Sequence, residues 1–153
     1  MREILFRGKR IDNGEFVCGY VGVFKGTTQI YVPFTEEEEK ENEGHIFSVI
    51  GGLWHTVHHE TIGQFTGLTD SNGKRIFEGD FVRMKYAVNG RKRAFIKGVV
   101  KYEKGAFFVH FSSHGRKTEG LLWGFTSSFH TEDEGLFCEI IGNIHDNPDL
   151  LNK

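Results

Sequence analysis

Eight cations between Arg83 and Lys104 carry the densest binding chemistry in this chain. They are Arg83, Lys85, Arg91, Lys92, Arg93, Lys97, Lys101 and Lys104, opposed by Glu103 alone, a local net charge of +7 in a chain whose total is −2. Guanidinium and ammonium groups at that density attract phosphate, and interleaved Tyr and Phe offer faces for base stacking. On a β-hairpin, alternation sets Arg83 and Lys85 on one face with Lys97 and Lys101 across from them. The competing reading is a solvated outer face whose lysines discourage edge pairing. Trp123, in "LLWGF", stands beside Gly124, where a flat ligand has room to approach, although a buried Trp is the commoner case. The expected binding set is therefore Arg83, Lys85, Arg91, Lys92, Arg93, Lys97, Lys101 and Trp123.

Other residues invite sharper chemistry and support it less. "FTGLTDSNGKRIFEGD" (65–80) has the outline of a calcium loop. Anchoring the motif's glycine at Gly73 puts Leu68 at the first ligand position and Gly79 at the twelfth, so the first carboxylate and the bidentate Glu are both missing. No Gly-Lys-Ser/Thr follows for a phosphate loop. Turn chemistry accounts for the stretch better: Asp70 and Asn72 make side-chain turns, Gly73 takes positive φ, and Gly79-Asp80 leads into a strand. In "HTVHHE" (55–60), His55 and His59 are weak metal candidates that would share a face of an alternating strand while His58 points away. Surface histidines are the simpler account, because no second ligand group stands at a recognisable spacing. Cys18 and Cys138 lie on apolar strand patterns, where a thiol packs as a small hydrophobe. Their distance and lack of a CxxC spacing suit a reducing cytoplasm. No catalytic constellation and no cofactor motif is visible, so a non-enzyme is expected.

The elements that position these residues are β-strands. The chain has 153 residues, with 20 Gly, 2 Pro and 15 Phe, close to twice the usual glycine share. Glycine serves turns, and aromatics favour pleated, half-buried surfaces. "EFVCGYVGVF" and "TQIYV" form a first hairpin, and "TEEEEKENEG" (35–44), with a local charge of −5, is a solvated loop or frayed helical turn. Residues 45–65 suggest one or two short strands broken at Gly51-Gly52. Strands are expected at 80–88, 95–102, 106–111, 120–125 and 136–144, the grammar of a small SH3-like barrel. Asn147 as N-cap and Pro148 after it open a short terminal helix. The expected fold is all-β, with an N-terminal β-hairpin region (1–75) packed on a C-terminal SH3-like small β-barrel (76–145), then a turn or tail (146–153). No apolar run is long enough to span a membrane, and no secretory signal is visible.

Three blocks carry a family resemblance: "MREILFRGKRID" (1–12), "TIGQFTGLTDSNGKRIFEGDFVR" (61–83) and "EIIGNIHDNPDLL" (139–151). In order and place they resemble the YopX family, small β-rich proteins encoded by phages and prophages. The resemblance supplies no catalytic residue. The acidic block 36–43 and His55, His58 and His59 depart from the family's common pattern. Resemblance and charge together lead to the expectation of a non-catalytic phage accessory protein in the host bacterial cytoplasm. Its expected ligand bears phosphate, most specifically a small nucleotide signal of host antiviral defence. DNA or RNA binding is the alternative, followed by a protein–protein module that inhibits a host enzyme. Exposed sheet edges favour a homo-oligomer.

Overall fold

The computed structural model describes residues 3–42, 51–88, 91–113, 116–122 and 138–152, the side chains of 85–94, 113, 151 and 152 excepted. Among the described residues are eleven strands, all paired antiparallel, one short α-helix and two 3-10 turns. The strands and the α-helix are β1 (Phe6–Lys9), β2 (Phe16–Phe24), β3 (Thr27–Pro33), α1 (Glu36–Glu41), β4 (Gly52–Thr56), β5 (Gly63–Thr69), β6 (Arg75–Phe77), β7 (Asp80–Val88), β8 (Arg91–Glu103), β9 (Ala106–Ser113), β10 (Arg116–Leu121) and β11 (Cys138–Asn143). Two compact units result, Met1–Gln64 and Phe65–Lys153. The break falls inside β5, not after residue 75 as expected. Its physical cause is that Leu68 and Ile76, on the β5–β6 hairpin, belong to the second unit's core.

In the first unit the strands run in the order β4-β3-β2-β1, and β1 also pairs with Gly63 and Gln64 at the start of β5. Leu5, Ile30 and Val57 are buried between them. Gly19 marks the tightest approach: a Cβ there would lie 2.0 Å from the Tyr31 carbonyl oxygen. Backbone cannot yield as a flexible side chain can, so Gly19→Ala is expected to cost about 1–3 kcal/mol. A lowered urea midpoint with an unchanged slope checks it. The acidic block forms α1, where Thr35 and Glu38 close a capping box that satisfies the free N–H groups of the first turn. Its glutamates are exposed, so the helix rests on its cap rather than on packing. Residues 43–50 lie outside the described residues.

The second unit is built on a five-stranded sheet, order β10-β9-β8-β7-β11. Val82, Met84, Val100, Val109, Leu122 and Cys138 form its core face. Among the described residues no sheet is closed, so they do not bear out the SH3-like barrel: the five strands form an open order with β10 and β11 at its ends. Closing a sheet into a barrel demands tilted strands and a staggered register. Here β8 runs for 13 residues, and the register breaks of β7 and β11 fall at Tyr86/Val88 and Ile140/Gly142, away from the middle of the β7–β9 meander. Of the expected strand at 120–125, residues 120 and 121 end β10 (Arg116–Leu121), which pairs with β9, and 123–125 lie outside the described residues. The terminal helix is a 3-10 turn, Pro148–Asn152. Asn147 anchors it by accepting a bond from the Asn143 N–H at 3.2 Å.

The glycine-rich stretch 65–80 is a turn, and more than a turn. Asp70 accepts from Asn72 N–H at 2.8 Å and Lys74 N–H at 2.9 Å, closing the loop as its side-chain chemistry predicts. Its other oxygen accepts from Ile140 N–H at 3.2 Å, on β11. Ser71 adds two bonds to Cys138, donating its N–H to the carbonyl oxygen at 2.7 Å and accepting the Cys138 N–H on Oγ at 3.0 Å. Asp80 then accepts the Phe77 N–H at 2.8 Å, and Gly79, at φ 84°, turns the chain into β7.

Candidate functional site

The face of the five-stranded sheet opposite the core carries the polar chemistry. Strand register assembles it in rows. Glu139, Arg83 and Lys97 stand side by side on β11, β7 and β8. Phe81, Val99, His110 and Glu119 form the next row, across β7 to β10. Lys101, Phe108 and Leu121 form a third. Phe81 and Val99 are buried and make an apolar floor, while Lys97 and Lys101 stand exposed above it. A cavity of about 710 Å³ opens on this face, bounded by Phe95, Lys97, Lys101, His110, Lys117 and Glu119, with Leu150 of the terminal 3-10 turn at its margin. That volume lies within the range of small-molecule sites.

The cations divide by what they touch. Arg83 is ion-paired with Glu139 and lies 5.2 Å from the Phe95 ring centroid, so it is neutralised locally. Lys97, Lys101 and Lys117 have no carboxylate partner within salt-bridge distance among the described residues. Lys104 bonds Glu119 at 2.8 Å, and that hydrogen bond with its charge holds the Glu119 carboxyl below its ordinary range. The expected alternation is therefore met for Arg83, Lys97 and Lys101, which share one face. The side chains of Lys85, Arg91, Lys92 and Arg93 lie outside the described residues, as does Trp123. Lys117 completes the set from β10 and was missed in the sequence, because its strand was expected four residues later.

The histidine reading changes place. β4 ends at Thr56, and His59–Thr61 is a 3-10 turn, so His55 and His59 do not share a strand face. His59 Nδ1 is 2.9 Å from Thr28 Oγ1, a contact that ties the turn to β3. His58 lies 3.7 Å from Glu60. The group with metal-like spacing among the described residues is instead Glu103, His110 and Glu119. Nothing along the chain marks these three, since only the β8–β9–β10 register brings them together. Cys138 is buried, and burial, with Asp70 and Asp80 nearby, pushes its thiol up to about 12, so it is no nucleophile at neutral pH.

Fold and site define a small antiparallel β protein with a cation-rimmed cavity on one sheet face. The chain belongs to the YopX family: the family model described as YopX protein matches residues 23–152. That makes it a small protein of phage or prophage type. The match takes in the second and third resemblance blocks, and the first lies ahead of it. A similar solved structure is the crystal structure of protein EF1440 from Enterococcus faecalis, at 20% identity and a TM-score of 0.47, covering 99% of each chain. No curated protein matches the chain.

Proposed function

We propose that this protein binds a small phosphate-bearing ligand of nucleotide type in the cavity on the outer face of the second unit's sheet. One observation carries the reading: Lys97, Lys101 and Lys117 surround an apolar floor without carboxylate partners among the described residues. Ammonium groups above Phe81 and Val99 suit a ligand with an anionic end and a flat apolar end. Phe95, 54% exposed at the rim, offers an aromatic surface to a base. The biological role that fits a phage-type protein is sequestration of a nucleotide signal of host defence in the bacterial cytoplasm, without turnover and as a homo-oligomer.

Salt separates this from DNA or RNA binding. Calorimetric titration with mono-, di- and cyclic nucleotides between 50 and 200 mM salt is expected to show affinity falling only shallowly, because a small nucleotide carries no condensed counterion atmosphere to release. A single strand spanning the β7–β8 hairpin would lose affinity far more steeply. If no nucleotide binds and oligonucleotides do, the sheet face is a nucleic-acid surface. If neither binds, the inhibitor-module reading takes its place.

A further inference from the structure

We propose that Glu103, His110 and Glu119 form a binding site for a divalent transition ion of zinc type, at the edge of the cavity and distinct from its lysine rim. The three residues come from consecutive strands, β8, β9 and β10. Their ligand atoms all lie within 4.8 Å of one another. His110 Nε2 is 3.4 Å from Glu103 Oε2 and 3.7 Å from Glu119 Oε2. Ligands held at about 2.0–2.2 Å around a tetrahedral ion stand about 3.3–3.6 Å apart. The first edge falls within that range and the second lies about 0.1 Å beyond it.

A second observation points the same way. His110 Nε2 is buried from solvent and makes no hydrogen bond, although two carboxylates face it. A charge-assisted hydrogen bond between imidazole and carboxylate stands at about 2.7–2.9 Å, shorter than either observed distance. The observed spacing leaves room for an ion between the three groups. Lys104 bonds the other oxygen of Glu119, Oε1, at 2.8 Å, so it orients the carboxylate and leaves Oε2 toward His110. One imidazole and two carboxylates select zinc or its near neighbours over calcium, which takes six to eight oxygens. Three protein ligands leave a fourth position open, and two of the three, His110 and Glu119, also line the cavity.

Protein dialysed against chelator and titrated calorimetrically with zinc, with no nucleotide present, tests the site apart from the anion reading. One ion per chain is expected, and cobalt in its place should give the intense visible absorption of low-coordinate geometry. His110→Gln, Glu103→Gln and Glu119→Gln should each weaken zinc by at least tenfold. Far-UV circular dichroism checks their folding, and the exposed Glu119 keeps the test informative if His110→Gln folds poorly. Absence of zinc binding below millimolar concentration overturns the proposal. So does zinc binding that survives unchanged in His110→Gln, since the ion then sits on other histidines such as His55, His58 or His59.

Discussion

Asp70→Ala is expected to unfold the second unit's edge at β11 and to lower stability by about 3–5 kcal/mol. The carboxylate is 5% exposed and accepts three backbone N–H groups, from Asn72, Lys74 and Ile140. Alanine leaves three donors without their partner in a site largely closed to water, and each such loss costs about 1–3 kcal/mol. The total is a large share of the roughly 5–15 kcal/mol that holds a domain folded. With a urea slope of about 2 kcal/mol per molar, the midpoint should fall by about 1.5–2.5 M. Thiol labelling gives a local readout, because Cys138 bonds Ser71 next to the clamp and is buried in the wild type. In Asp70→Ala the Cys138 peptide should label far faster, with Cys18 unchanged. An unaltered midpoint and unaltered Cys138 labelling would show that the clamp carries no stability.

The same carboxylate makes stability depend on pH. Burial opposes its ionisation, but the backbone bonds from Lys74, Ile140 and Asn72 outweigh burial, and its pKa lies below the ordinary 3.8. A depressed native pKa means the unfolded chain binds the proton more readily. The contribution is thus fully present above the unfolded value and is lost as pH falls through the native one. Acid unfolding should begin below about pH 4. Asp70→Asn, which keeps the shape without the charge, should flatten that limb and lower the plateau at neutral pH.

Lys97→Glu combined with Lys101→Glu is expected to weaken nucleotide binding by at least about 100-fold, equivalent to about 2.7 kcal/mol. Both side chains are exposed and lack carboxylate partners among the described residues, so their reversal should change the unfolding free energy from urea titration by no more than about 0.5 kcal/mol. The loss comes from replacing attraction to phosphate with repulsion at two points of one rim. Arg83→Gln should matter less to binding and more to folding, because Glu139 already neutralises it and would be left without its cation. Unchanged affinity in the double variant would move the site to the β7–β8 tip, where Arg91, Lys92 and Arg93 stand.

Much of this molecule was legible along the chain because its signals are local. Period-2 alternation and glycine turns located β2, β3, β7, β8 and β9. Charge bias marked the hairpin that holds the cavity, and the block at 61–83 led to the family that the family model matches. Asp70 and Gly73 were readable as a turn because Asx chemistry acts within a few residues.

What stayed hidden depends on which strands meet. Whether five strands close into a barrel or remain an open sheet is set by strand tilt and register stagger, which alternation alone does not encode. The unit boundary in β5 follows from where Leu68 and Ile76 are buried, not from any break in composition. Lys117 joins Lys97 and Lys101, and His110 meets Glu103 and Glu119, only through the register of β8, β9 and β10. By itself the sequence determined strand grammar, family and the sign of the charge. Register across non-adjacent segments, a tertiary quantity, decided which charges are neutralised and which face an open cavity.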